Sequence, residues 1–182
     1  MELRDAPPST VEIRPARRDD YDAIAELTVA AYSAPPRPGE GPAPGLRGHV
    51  RTEYVHTLRD VARRAADALV LVALDGGRVA GAVTYVPGPG PYAEFDEPDA
   101  AGIRMLAVDP AVQGRGIGRA LVEECIARAR AAGKTLVVLH TTTWMHAARR
   151  LYERLGFVRA PERDRWPAPD VLLLAFELDL VR

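Results

Sequence analysis

Residues Gln113 to Gly118 read QGRGIG, and three glycines alternating with other residues make this the stretch of the chain best suited to hold an anion. Glycine has no Cβ, so it accepts positive φ and lets a ligand approach the backbone closely. Before it, Ile103, Met105, Leu106, Ala107 and Val108 form an apolar run that Asp109-Pro110 ends, the pattern of a mostly buried strand. After it, Ile117, Leu121, Val122, Cys125, Ile126 and Ala129 recur near a helical period, with Arg119, Glu123, Glu124, Arg128 and Arg130 on the other face. The glycines therefore stand at a helix N-terminus, where unpaired N–H groups and the positive end of the helix dipole suit a phosphate. The spacing G-x-G-x-G is not the G-x-G-x-x-G of a dinucleotide fold. Nor is it a P-loop, because Gly118 is followed by Arg119-Ala120 and not by Lys-Ser/Thr. Glycines alone also suit a plain strand-to-helix turn.

A second segment follows one strand and one helix later. Gly133 is placed to cap the first helix, Thr135 to His140 reads as a short apolar strand, and Ala147, Ala148, Leu151, Tyr152 and Leu155 form another helical stripe closed by Gly156. Together LAVDPAVQGRGIGRALV and AARRLYERLGFV resemble the GNAT superfamily of acetyl-CoA-dependent N-acetyltransferases. Gln113, Gly116 and Gly118 match its Q/R-x-x-G-x-G/A signature, and the later helix carries its Leu-Tyr-Glu...Leu-Gly-Phe run. The specific resemblance spans residues 101 to 160; elsewhere it lies in the order of elements.

The resemblance implies one domain over residues 1–182 and acetyl-CoA as cosubstrate. It implies an α/β (α+β) fold, a mixed, mostly antiparallel sheet of about seven strands with four flanking helices. Carried over by position, Leu106, Ala107 and Val108 offer backbone groups to the pantetheine arm and the thioester carbonyl, where their strand splays from the next. Gln113, Gly114, Arg115, Gly116, Ile117, Gly118 and Arg119 then hold the pyrophosphate. Main-chain donors suit both tasks because their geometry is set before the ligand arrives, and the two arginines add charge attraction. Tyr152 occupies the position that protonates the CoA sulfur in the resembled family. A phenol donates one hydrogen bond and, with a reference pKa of about 10, is normally protonated. Without the motif, Tyr152, Leu106 and Val108 read as core packing.

The resemblance thins at the proton acceptor. Some relatives carry a glutamate on the motif strand, but the aligned position here is Gly102. Others place an acidic base on the following strand, where this chain has His140, whose imidazole accepts a proton near neutral pH. The plain reading of His140 is a hydrogen-bonded core residue. Glu94, Asp96, Glu97 and Asp99 in the preceding loop offer an alternative, acting through water or attracting a cationic amine; their plain reading is a solvated acidic loop. Met145 stands where many relatives have a cofactor-binding asparagine, a bond that Thr143 or a backbone group would have to replace. The expected reaction is acetyl transfer from acetyl-CoA to a primary amine by direct attack in a ternary complex. The alternative is a non-catalytic acyl-CoA-binding or sensor domain of the same fold, suggested by the missing carboxylate.

The elements that must position these residues follow from pattern. Val11 to Arg14 reads as a strand, a helix carries Tyr21, Ile24, Leu27 and Ala31, and Ser33 to Gly48 is a Pro/Gly loop. Val50, Tyr54, Leu58, Val61 and Ala65 predict one second helix. Leu69 to Leu74 and Val79 to Val86 flank Asp75-Gly76-Gly77, a hairpin signal. The loop Pro87 to Ala100 leads into the motif strand. After the second motif helix come a strand near Phe157, a Pro-rich turn and a last strand at Val171 to Glu177. The 182 residues are 47% hydrophobic with net charge −1, a composition that suits one domain and gives no basis for nucleic-acid or membrane binding. Arg17-Arg18 and Arg63-Arg64 read as solvated helix surface, Cys125 as a buried hydrophobe, and Trp144 and Trp166 as packing or acceptor-pocket wall. No metal site is expected, since His49, His56, His140 and His146 lack ligand spacing. A single cysteine and no apolar signal core lead us to expect a cytoplasmic protein. The acceptor is a small-molecule or peptide amine, and partly exposed sheet edges are compatible with a homodimer.

Overall fold

Gly76 and Gly77 both adopt positive φ, 59° and 80°, so the Asp75-Gly76-Gly77 signal folds as the tight turn of a hairpin. The computed structural model describes residues 11–33, 49–169 and 171–181. The Pro/Gly loop read at Ser33 to Gly48 lies, apart from Ser33, outside the described residues. Strand β1 (Val11–Pro15) is followed by helices α1 (Tyr21–Ser33), α2 (His49–Arg59) and α3 (Val61–Asp67). The hairpin β2 (Leu69–Asp75) and β3 (Arg78–Val86) leads to β4 (Ala100–Val108), α4 (Ile117–Ala131), β5 (Leu136–Thr142) and α5 (His146–Arg154). Short strands β6 (Val158–Arg159) and β7 (Arg165–Ala168) precede β8 (Val171–Asp179). The sheet runs β1-β2-β3-β4-β5-β8-β6, with β7 also on β8; only β4 and β5 pair in parallel.

The mixed, mostly antiparallel sheet and flanking helices agree with expectation, with two refinements. The sheet has eight strands among the described residues, because Arg165–Ala168 within the Pro-rich turn pairs with β8. The stripe from Val50 to Ala65 is two helices. Asp60 breaks it: its side chain accepts the N–H of Arg63 at 3.0 Å and starts α3 as an N-cap. Arg64 is therefore not solvated surface. Its guanidinium turns back under the end of α2 and donates to the carbonyls of Thr57 (3.0 Å) and Leu58 (2.6 Å), so a charge 1% exposed is stabilised by carbonyl dipoles.

Core lies on both faces of the sheet. On one face α4 buries Ile117, Leu121, Val122, Cys125, Ile126 and Ala129 against β2, β3 and β4. Each large apolar side chain of that stripe contributes roughly 1.5–3 kcal/mol. Gly81 allows the approach, since a Cβ there would stand 2.9 Å from Ile117 Cγ2. On the other face Met105, Val138, Tyr92 and Phe95 pack with Leu58 of α2 and Tyr32 of α1. Cys125 is buried as expected, which pushes its thiol up to about 12 and removes it as a nucleophile at neutral pH. Trp166 departs from the packing expectation and is 64% exposed.

Candidate active site

Gln113, Gly114, Arg115 and Gly116 lie exposed at the mouth of α4. Gly114 and Gly116 both take φ +84°, a conformation that costs an L-residue about 1–2 kcal/mol, and nothing stands within 4 Å of where a Cβ would be. Gly116 is the N-cap of α4 and carries no side chain to satisfy the amides of Ile117, Gly118 and Arg119, which point out of the first turn. Gly118 has a different task. A Cβ there would lie 3.4 Å from Val108 and 3.7 Å from Leu151, so its absence lets the helix start close against β4 and α5. The result is an open, backbone-lined helix mouth whose chemistry suits an anion.

Side chains around the cradle are less free than their types suggest. Gln113 Nε2 donates to the carbonyl of Val108 at 3.1 Å and ties the loop to the end of β4. Arg115 Nη1 meets Asp75 Oδ2 of the hairpin at 2.6 Å, and Arg119 Nε meets Glu123 Oε1 at 2.8 Å one turn along. Both guanidiniums remain largely exposed, within reach of a ligand at the price of an exposed ion pair worth about 0–1 kcal/mol. The amides, which need no rearrangement, are the fixed part of the cradle.

Strand β4 leads from this cradle to a gap in the sheet. Its parallel pairing with β5 runs only from Ala100–Leu136 to Ile103–Leu139. Beyond that β4 stays on β3 while His140, Thr141 and Thr142 stay on β8, so the two strands part. A bulge bends β4 at this point: Arg104 opposes Thr84 and Ala107 opposes Ala82, leaving Met105 and Leu106 opposite Val83 alone. Met105 has φ +53°, the one such non-glycine residue described. A cavity of about 40 Å³ opens in the gap, lined by Leu106 and Met105 of β4, His140 and Thr141 of β5, Met145, Ala148 and Tyr152 near or on α5, and Tyr32 of α1.

Tyr152 reaches this cavity because of how α5 ends. Gly156 takes φ +90°, its N–H donates to Glu153, and the N–H of Phe157 donates to the carbonyl of Tyr152 at 3.0 Å, a Schellman closure. The closure brings the rings of Phe157 and Tyr152 edge to face at 5.9 Å, with Phe176 at 6.4 Å. The Leu-Tyr-Glu...Leu-Gly-Phe run is thus a capping motif that also aims a phenol. Tyr152 is 6% exposed, and burial holds its phenol well above the ordinary value of 10.0, so it remains protonated through the neutral range. At the N-terminus of α5, Met145 takes the cap position without a side-chain hydrogen bond.

His140 lies on the opposite face of β5, between two acceptors. Its Nε2 is 2.9 Å from the carbonyl of Arg163, which can only accept, so Nε2 carries a proton. Its Nδ1 lies 2.8 Å from Glu94 Oε2, a carboxylate oxygen that likewise can only accept. His140 therefore has no nitrogen free to meet an amine directly. Glu94 is also 3.2 Å from Arg104 Nη2. Burial alone would raise the Glu94 carboxyl, but the His140 ring and the Arg104 guanidinium outweigh it and hold the group below the usual carboxylate range. Gly102 explains why a carboxylate comes from the loop: a Cβ at Gly102 would stand 2.8 Å from Phe95 Cε1, so the neighbour of Glu94 fills the space a side chain on β4 would need.

Of the other loop carboxylates, Glu97 binds Arg163 at 2.5 Å, Asp99 binds the hydroxyl of Thr135 at 2.6 Å, and Asp96 is exposed. Glu94 lines a second, open cleft of about 440 Å³ between the loop before β4 and the turn at Pro161–Arg163. The two hollows meet at the Glu94–His140 contact. Sequence reasoning named all four carboxylates without distinguishing them, and the partners that single out Glu94 are remote in the chain. It did not name Thr141, Tyr32 or Arg104; only the polar residue in the apolar run of β5 offered a signal for the first.

A bulged strand parting from its parallel neighbour, beside a glycine-lined helix mouth and a buried phenol, defines an acyl-CoA-binding α/β domain. Residues 24–157 match the acetyltransferase (GNAT) family, and the chain belongs to that family. It is 33% identical over 163 residues to the mycothiol acetyltransferase of Geodermatophilus obscurus, covering 87% of this chain and 48% of that protein. A second mycothiol acetyltransferase, from Beutenbergia cavernae, is 47% identical over 74 residues, 40% of this chain and 25% of that one. The chain thus spans about half or less of the length of these curated relatives. Among solved structures, yncA of Salmonella typhimurium with its cofactor acetyl-CoA is 25% identical at TM-score 0.62, covering 94% of this chain and 95% of that one. The ribosomal-protein-S18-alanine N-acetyltransferase of Escherichia coli has the same fold, with TM-score 0.67, 21% identity and 94% of each chain covered.

Proposed function

We propose that this chain transfers the acetyl group of acetyl-CoA to a primary amine by direct attack within a ternary complex. The observation that carries the reading is the arrangement along one edge of β4: the uncapped mouth of α4 at one end and, where β4 parts from β5, a cavity lined by Leu106 and Tyr152. The cradle holds the pyrophosphate through Gly114 to Arg119, and Leu106 to Val108 align the pantetheine arm and thioester. The amine approaches from the face that carries Glu94 and His140.

The amine nitrogen forms its bond to the thioester carbonyl carbon while the carbon–sulfur bond breaks, and the phenol of Tyr152 gives its proton to the departing sulfur. The nitrogen loses one proton to the carboxylate of Glu94, which lines the open cleft beside His140. This replaces direct abstraction by His140, whose ring is engaged on both sides. Tyrosinate and the protonated Glu94 carboxyl then return to their starting states by exchange with solvent.

The acceptor class is a small-molecule or peptide amine. The test is release of thiol from acetyl-CoA across a panel of small amines, polyamines and peptide N-termini, alongside melting with and without CoA. Turnover on at least one amine class is expected. At a hundredfold excess over Kd, CoA stabilises the fold by about 2.7 kcal/mol, a rise of roughly 5–10 °C for a domain of this size. Stabilisation with no turnover on any amine would leave the binding or sensor reading in its place.

A further inference from the structure

Val137, Leu139 and Thr141 follow one another along β5 at the two-residue period of a strand and so share the face that looks toward α5. Val137 and Leu139 are core residues in the cluster that holds Tyr152. Thr141 continues their row one step past Ile103–Leu139, the last pairing of β4 with β5. Valine has almost the same shape and would extend the apolar row. The hydroxyl is instead buried in a residue 4% exposed, and Oγ1 has no hydrogen-bond partner among the described residues. Thr141 also lines the cavity in the gap, beside Leu106 and Tyr152.

Buried hydroxyls in folded proteins are almost always paired, because one left unpaired forfeits its bonds to water. The unmet bond lies in a cavity, not in packed core. The cavity's volume of about 40 Å³ admits a water when no ligand is bound. A polar ligand atom can displace that water and take over its hydrogen bond. We propose that Thr141 Oγ1 hydrogen-bonds the thioester end of acetyl-CoA in the gap between β4 and β5. It is a binding residue on the same wall as Tyr152, which supplies the proton. This rests on the acetyl-transfer reading above and adds to it a residue that fixes where the reacting end of the donor lies.

The experiment compares the wild type with Thr141→Val and Thr141→Ser by calorimetric titration with acetyl-CoA and with 3′-phospho-ADP, the nucleotide half of CoA, and by melting without ligand. Thr141→Val should melt at or above the wild-type temperature, since it removes an unpaired polar atom without leaving a hole. It should bind acetyl-CoA roughly three- to tenfold more weakly, the loss of one neutral hydrogen bond. Its affinity for 3′-phospho-ADP should be unchanged, and Thr141→Ser should restore acetyl-CoA binding. Unchanged acetyl-CoA affinity in Thr141→Val would mean that the hydroxyl serves a resident water only and would overturn the proposal. An equal loss for both ligands would overturn it too, as a general disturbance of the fold. If the wild type binds neither ligand, the acetyl-transfer reading itself falls, an outcome distinct from the other two.

Discussion

Two rings and two backbone bonds hold Tyr152: Phe157 and Phe176 flank the phenol, and its carbonyl accepts the N–H groups of Leu155 and Phe157. Phenylalanine at this position keeps those contacts and loses only the proton. Tyr152→Phe should therefore lower kcat by about a hundredfold, the lower end of what a positioned acid supplies, with acetyl-CoA affinity unchanged by calorimetry; wild-type turnover would remove the phenol from the mechanism. Glu94 carries the opposite requirement, since its charge, more than its shape, lets it take a proton from the amine. Glu94→Gln should reduce kcat by about a hundredfold or more at neutral pH and leave acetyl-CoA binding intact. A loss confined to acetyl-CoA affinity would place Glu94 in structure and not in proton transfer.

At the scale of elements, the site is a set of interruptions in regular structure. The parallel ladder stops at Ile103–Leu139, the β3–β4 ladder is bulged at Met105 and Leu106, and α4 begins on a left-handed glycine with no capping side chain. Each frees backbone groups that a ladder or cap would otherwise consume, at the expense of local stability. Gly102 is the joint between one of these elements and the chemistry. Phe95 packs over it, and Phe95 is the residue after Glu94. Gly102→Ala sets a methyl 2.8 Å from the ring edge, which should destabilise the fold by roughly 1–3 kcal/mol. Because the displaced ring belongs to the residue next to Glu94, kcat should fall with it while acetyl-CoA affinity changes little. Denaturant unfolding and steady-state assays on the same sample separate the two effects, and unchanged values in both would mean that the loop does not depend on this packing.

Across the whole molecule, ion pairs fasten the loop before β4 over the far half of the sheet. Arg163 bridges Glu97 of the loop to Glu177 of β8, Arg159 binds Asp164, and Arg104 binds Glu94. The carboxyls of Glu94, Glu97 and Asp164, together with Asp20 paired to Arg14, all lie below their ordinary values of 3.8 or 4.5. A carboxyl lowered by folding contributes stability above its unfolded pKa and loses it as pH falls through the folded one. Melting temperature should thus hold from neutral pH to about 4.5 and decline below it. The pairs of Glu97 and Asp164 are more exposed and more screened, so Glu94 should account for a larger share than either. A Glu94→Gln variant with the wild-type acid profile would contradict that assignment. Among the described residues no helix is long and apolar enough to cross a membrane, and no cluster of three His, Cys, Asp or Glu side chains is placed to hold a metal.

What could be read before any coordinates was local. The cradle, the hairpin, the caps at Gly133 and Gly156 and the buried stripe of α4 depend on residues within a few positions of one another, where backbone geometry and helical period act directly. The family resemblance rested on those same local runs. The break at Asp60 escaped notice because an apolar stripe continues across it while a single capping bond decides the geometry. The binding partners of charged and polar groups were out of reach for a more general reason. Arg115 with Asp75 and Arg163 with Glu97 are 40 and 66 residues apart, Glu94 meets His140 across two elements, and the unpaired hydroxyl of Thr141 lies just past Leu139, the last β5 residue paired with β4. Local sequence alone determined which elements form and which residue types line them. Tertiary structure decided which of four loop carboxylates meets the histidine and which unpaired hydroxyl faces the gap between β4 and β5, because those outcomes depend on distances set by packing between elements and not on spacing along the chain.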